Sequence, residues 1–267
     1  DYSGVYHGPC HCENCKRLFK EQYGLDIPDR DDPRSPDYRK YAAFKSACTK
    51  AQRERLVQTV RSISPELAIN NVDYIRTESA TEIGVPQWQY SASCNARRTA
   101  GPLRLRPADN ASVDFMGFRY RDSSVSAGQL ALRQWQNLAN AGSVSLYIMG
   151  HLDNHKDRTA LNASKAAFAF HREHEALYRG LQSAAKVLLV TKPIMARSDP
   201  EVYGWVRALT ESHIPFDEVK LTELTPELLR RWDVVILGDV KQCSPQQTTM
   251  LDAYAAQGGI VVASGSA

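Results

Sequence analysis

Residues 186–191 read "KVLLVT" and residues 232–239 read "WDVVILGD". Short, continuous runs of Val, Leu and Ile without polar alternation mark strands buried on both faces, as in a parallel sheet. Between them, "EVYGWVRALTESH" (201–213) has amphipathic helical spacing and "FDEVK" (216–220) reads as a weaker strand. Downstream, "QQTTMLDAYAAQG" (246–258) is a helix closed by Gly258, followed by the strand "GIVVASGS" (259–266). This alternation predicts a doubly wound, flavodoxin-like α/β layout for residues 185–267.

Working toward the amino end, the same alternation continues in a different register. "SVSLYIMG" (143–150) is a strand lying between the helix "SAGQLALRQWQNLANAG" (126–142) and a helix from Ala160 to Leu181. "VDFMGFRYR" (113–121) and "DYIRTE" (73–78) read as strands separated by a long polar insertion between Ser79 and Ser112. Further upstream, Ser35 and Pro36 supply a cap and first turn for a helix. Its apolar stripe runs through Tyr41, Phe44, Cys48, Leu56, Val60 and Ile63. Strands at Val5, Ala68, Ile75, Phe115 and Leu146 are the number left if a (β/α)8 barrel lacks its first three. The expectation is a partial barrel over 1–184, strands four to eight, joined to a partial flavodoxin-like domain over 185–267. Both ends of the chain read as cuts through folded units of a longer protein.

The composition, 43% hydrophobic and 24% charged over 267 residues, is that of an ordinary globular chain. A net charge of +3, from 33 basic and 30 acidic residues without a basic block, argues against nucleic-acid binding. No apolar run approaches the roughly 20 residues a membrane-spanning helix needs.

Half of the six cysteines, Cys10, Cys12 and Cys15, fall in "GPCHCENCKRLF" (8–19), just before a helix from Cys15 to Tyr23 closed by Gly24. A tight turn aiming several sulfurs at one point suits tetrahedral Zn²⁺. Disulfides to distant partners and unpaired thiols are the competing readings. Three sulfurs leave one ligand to find, with His7, His11, Cys48, Cys94 or an upstream residue as candidates. Cys243 lacks the glycine-flanked elbow of a nucleophile and reads as a small apolar residue.

The stretch "GVYHGPCHCENCKRLFKEQYGLDIP" (4–28) resembles the strand-four region of glycoside hydrolases related to family 42 β-galactosidases. Closer still is the hypothetical glycosyl hydrolase group with C-x-C-x-x-C. The segment 126–150 is similar to that family's helix seven and strand eight. The tail, with "ALTESHIPFDEV", "WDVVILGD" and "YAAQGGIVVASGS", resembles its β-galactosidase trimerisation domain, of the class I glutamine amidotransferase-like type. The resemblance implies a TIM barrel with a structural zinc on Cys10, Cys12 and Cys15, a carbohydrate substrate hydrolysed at O-glycosidic bonds, β-galactosides included, and a homo-oligomer, a trimer.

Glycosidases set two carboxylates across the scissile bond, and barrel enzymes carry such groups at the carboxyl ends of strands. That rule selects Glu78 after "DYIRT", with His7 after strand four as second catalytic candidate where the relatives usually show a carboxylate. Arg119, Arg121, His151 and Asp153 at later strand ends are candidate contacts to sugar hydroxyls, and Trp88 a candidate stacking surface. His7 at a carboxylate position also motivates a catalytically inactive sugar-binding relative. A zinc-clipped interaction module, unrelated to sugars, is the third reading.

Overall fold

The computed structural model describes residues 8–32, 34–70, 72–81, 89–101, 108–191 and 199–265. The chain divides into two compact units, Asp1–Ile69 and Asn70–Ala267.

The first unit is helical. α1 (Glu13–Tyr23) ends at Gly24, whose left-handed backbone (φ 68°) lets its N–H reach the Lys20 carbonyl. α2 (Pro36–Ile63) starts where Ser35 Oγ accepts from the Tyr38 amide. Their shared core is aromatic: Phe19 is fully buried against Tyr41 and Phe44, with ring centroids 5.7 and 5.4 Å away. The stripe on α2 is therefore buried only in its first half, and Leu56 and Ile63 are 48% and 80% exposed. Length explains this: at ~1.5 Å per residue, α1 spans ~16 Å and α2 ~42 Å. Ala68 lies in no strand; nearby, the only pairing among described residues is an isolated bridge, Asn70 to Tyr74. The strand expected at Val5 lies outside the described residues.

The second unit holds two parallel sheets. In the first, β1 (Ile75–Ser79), β2 (Ala108–Val113) and β3 (Leu146–Tyr147) lie in chain order, Glu78 opposite Ala111 and Ser112 opposite Leu146. α3 (Ser91–Ala100), α4 (Ala127–Ala139) and α5 (Leu161–Tyr178) follow these strands in turn. Two sequence expectations are corrected here. The strand expected at Phe115 is β2, which ends at Val113; Phe115 makes only an isolated bridge to Ser124, and Phe118–Tyr120 is a 3-10 turn. The supposed insertion after Ser79 is the crossover itself, because α3 packs on β1 and β2 and buries Ala92, Cys94, Ala96 and Ala100.

β2 reads "ADNASV", which hides it from hydrophobic pattern, yet Asn110 and Ser112 are fully buried. Hydrogen bonds replace apolar contact: Asn110 Nδ2 donates to Asn137 Oδ1 (2.7 Å) and Ser79 Oγ (3.0 Å). Its Oδ1 accepts from Asn95 Nδ2 and Thr77 Oγ1, each at 3.1 Å. Buried polar groups are tolerated when paired in this way.

The second sheet has strand order β5-β4-β6-β7, built from β4 (Val187–Thr191), β5 (Phe216–Lys220), β6 (Val234–Gly238) and β7 (Ile260–Ser264). Its intervening helices are α6 (Pro200–Glu211), the one-turn α7 (Pro226–Leu229) and α8 (Pro245–Ala256). Leu188, Val190, Val235 and Leu237 bury one face against Leu229, Trp232, Leu251 and Tyr254. Leu189 and Ile236 bury the other against Val202, Val206 and Cys94. Cys94 is thus a core residue of this unit rather than a metal-ligand candidate. Among the described residues, no helix is long and apolar enough to cross a membrane.

Candidate functional site

The carboxyl ends of β1 and β2 collect several buried polar groups, among them Thr81, Asp114, Arg133 and His155. Asp114 follows β2 directly and is 1% exposed. Its Oδ2 accepts from Ser124 Oγ (3.0 Å) and lies 3.6 Å from His155 Nε2, while its Oδ1 has no hydrogen-bond partner. Burial pushes the Asp114 carboxyl above the usual carboxylate range, against the opposing pull of Ser124 and His155. Arg133, reaching in from α4, donates to the Val113 carbonyl (2.6 Å) and Thr81 Oγ1 (2.7 Å), and burial pulls it down to about 10.

Asp157 behaves in the opposite way. Hydrogen bonds from Thr159 first, then from the Ser124 amide (3.0 Å), hold its carboxyl below the usual range. Ser124 Oγ lies within hydrogen-bonding distance of both Asp114 Oδ2 and the Asp157 carbonyl. One hydroxyl has one proton to give. Ser124 Oγ therefore gives its proton to one of the two acceptors or shares it between them. Two carboxyls shifted in opposite directions and tied by one serine are a recognised preparation for acid–base work.

Glu78 sits within β1 and is exposed. Its neighbours Thr77 and Ser79 turn toward Asn110, and the Glu78 carbonyl accepts from Asn95 of α3 at 3.0 Å. Strand alternation then directs its side chain to the sheet face opposite α3, shared with Arg76, Asp109 and Ala111. Arg119, Arg121, His151 and Asp153 are all exposed. No hydrogen bond or ion pair among the described residues joins any two of these five. His7 and Trp88 lie outside the described residues.

Sequence reading missed Asp114, His155, Ser124, Arg133 and Asp157. Beginning a strand at Val113 pushed its end to Arg121; the polar "ADNASV" puts it at Asp114. Likewise "GHLD" drew notice to His151 and Asp153, whereas His155 and Asp157, four residues on, are the ones turned inward.

In the first unit the cysteine trio is brought together. One sulfur from each of Cys10, Cys12 and Cys15 lies within 4.8 Å of the others, and all three are free thiols. Tetrahedral Zn²⁺ with Zn–S bonds of ~2.3 Å separates its sulfurs by about 3.8 Å, so the cluster fits the ion after slight contraction. Hydrogen bonding, led by the Cys15 amide, holds the Cys12 thiol below its usual range, while burial raises Cys15 to about 12. Tyr41 Oη accepts from the Cys10 amide, tying the turn to α2. Among the described residues, neither His11 nor Cys48 joins the three sulfurs.

No family model matches the chain, and comparison with curated proteins returns no match. Solved structures do resemble it. Alpha-L-fucosidase isoenzyme 2 from Paenibacillus thiaminolyticus superposes with TM-score 0.71 and 22% identity over 96% of this chain and 40% of its own. Beta-galactosidase from Bacillus circulans sp. alkalophilus does so with TM-score 0.67 and 16% identity over 97% of this chain and 50% of its own. The chain therefore has a glycoside-hydrolase-like α/β fold and spans half or less of these neighbours' length. At such identity the likeness is one of fold.

Proposed function

We propose that the chain is the carboxyl-terminal part of a (β/α)8 glycosidase that hydrolyses O-glycosidic bonds, with β-galactosides the first substrates to test. The observation that carries this reading is the pair of oppositely shifted carboxyls, Asp114 and Asp157, bridged by Ser124 at the carboxyl end of a parallel sheet. Glu78, on the face away from α3, is the exposed carboxylate available to touch substrate, and His7 is the second catalytic candidate. Asp114, buried, positions Ser124 Oγ and His155 Nε2 beside it. Arg119, Arg121, His151, Asp153 and Trp88 supply contacts to sugar hydroxyls and ring faces. In this reading residues 1–184 form strands four to eight of the barrel, and residues 185–267 a flavodoxin-like, trimerisation-type domain holding a homotrimer together. A zinc ion on Cys10, Cys12 and Cys15, completed by a fourth ligand, clamps the turn before α1 and takes no part in hydrolysis.

The test is turnover of an aryl glycoside panel by the full-length protein and its variants. Glu78→Gln keeps size and loses charge; a direct role in proton transfer or attack lowers kcat by about 100-fold or more. Asp114→Asn lowers kcat and shifts the pH profile. Unchanged kinetics in both variants would remove the site from these strands. Metal analysis separately checks for about one Zn²⁺ per chain, and chelation lowers Tm without changing KM.

A further inference from the structure

β5, "FDEVK", is the polar exception in an otherwise aliphatic sheet, and its middle residue is Glu218. Alternation along the strand sends Asp217 and Val219 toward the Trp232 core, and Phe216 and Glu218 to the opposite face. There Glu218 stands in register with Leu189 of β4, its side chain fully buried. A carboxylate in an apolar layer needs partners. Two successive arginines of α3 meet it: Arg97 Nε donates to Oε1 at 3.1 Å and Arg98 Nε to Oε2 at 2.6 Å.

α3 is shared between the two sheets. At about 100° per residue, Cys94, Arg97 and Arg98 fall on one side of the helix, and Ala92, Asn95, Ala96 and Thr99 on the other. Cys94 packs among Leu189, Val206 and Phe216, and the Arg97 guanidinium lies 4.1 Å from the Phe216 ring centroid. On the other side, Asn95 Nδ2 lies within hydrogen-bonding distance of the Glu78 carbonyl (3.0 Å), Asn110 Oδ1 (3.1 Å) and Ser79 Oγ (3.2 Å). Arg97 Nη1 also donates to Asn140 Oδ1, just past the end of α4, at 2.9 Å. The packing is close there: a Cβ on Gly142 would lie 3.2 Å from both Ala96 Cβ and the Asn137 carbonyl oxygen. α3 thus has little room to shift without disturbing Asn137, which holds Asn110.

We propose that Glu218 is a positioning residue: from the second sheet it fixes α3, and through α3 it sets the strand ends of the first sheet that bear Glu78 and Asp114. That this serves catalysis rests on the glycosidase reading; the mechanical link between the sheets does not. An aliphatic residue beside Leu189 would fill the layer, but its packing is non-directional and leaves a helix free to slide. Charge-assisted bonds from two successive arginines fix both the height of α3 and its rotation.

Hydrogen exchange read by mass spectrometry, together with turnover of the aryl glycoside panel, tests this in the full-length protein. Glu218→Gln speeds exchange in β1 and β2 as well as in β5, and lowers kcat by about tenfold or more with little change in KM. Glu218→Asp, which keeps the charge, recovers much of both. Asn95→Ala speeds exchange in β1 and β2 but not in β5. Added to Glu218→Gln, it costs less in kcat than the product of the two single losses. Circular dichroism shows whether Glu218→Gln is folded; if it is not, Arg97→Lys, which keeps the charge and loses the fork, takes its place. Faster exchange confined to β5, an unchanged kcat, or independent losses in the double variant would each overturn the inference. A parent protein without turnover on any glycoside would sink the glycosidase reading alone, and exchange in β1 and β2 would still decide the link between the sheets.

Discussion

The two parallel sheets of the second unit solve the same burial problem by opposite chemistry. β4, "VLLVT", is buried through Leu188, Leu189 and Val190; β2, "ADNASV", is as deeply buried through Asn110, Ala111 and Ser112. In the first case water is excluded by close-packed aliphatic side chains. In the second, every turn of Asn110 meets a donor or acceptor from β1, α3 or α4. Aliphatic packing is non-directional and tolerates small shifts. A hydrogen-bonded network is directional, fixes the spacing of strand and helices, and leaves unpaired groups if one member goes. The sheet fixed by hydrogen bonds is also the one that carries the candidate site, where register matters most.

Exchanging the chemistries should break each sheet. Leu189→Asn puts an amide among Val202, Val206 and Ile236, losing packing and burying an unpaired polar group. A loss of about 4–5 kcal/mol, read from the denaturation midpoint, is expected. Asn110→Leu is the converse and strips partners from Ser79, Asn95 and Asn137 at once; a loss of about 3 kcal/mol is expected. If Asn110→Leu is neutral while Leu189→Asn is not, the network contributes position alone. A smaller effect of opposite sign is expected at Asp114. Its carboxyl is raised in the folded chain, so its contribution is fully favourable only below the unfolded carboxylate value and is lost as pH rises through the folded one. At pH 7 Asp114→Asn should therefore be more stable than the parent, read as a higher Tm. That advantage shrinks as the pH falls into the carboxylate range. Melting curves of both proteins from neutral to acidic pH check it; an advantage that grows on acidification would mean that Asp114 is ionised and well paired.

What was legible in the sequence follows the same division. Continuous aliphatic runs located β4, β6 and β7, and cap residues located the end of α1 at Gly24 and the start of α2 at Ser35, because these signals lie within a few neighbouring residues. The cluster of Cys10, Cys12 and Cys15 was legible for the same reason: six residues of backbone suffice to bring the sulfurs together. By contrast β2, the packing role of α3 and the site around Asp114 were not legible. Asn110 is a core residue only because Ser79, Asn95 and Asn137 come to it from 15 to 31 positions away. Asp114 owes its raised pKa to burial, and burial is decided by what His155 and Arg133 bring from separate elements. Local chemistry determined where helices and aliphatic strands lie; long-range packing alone decided which polar residues lost their water, and those are the residues on which the proposed functions rest.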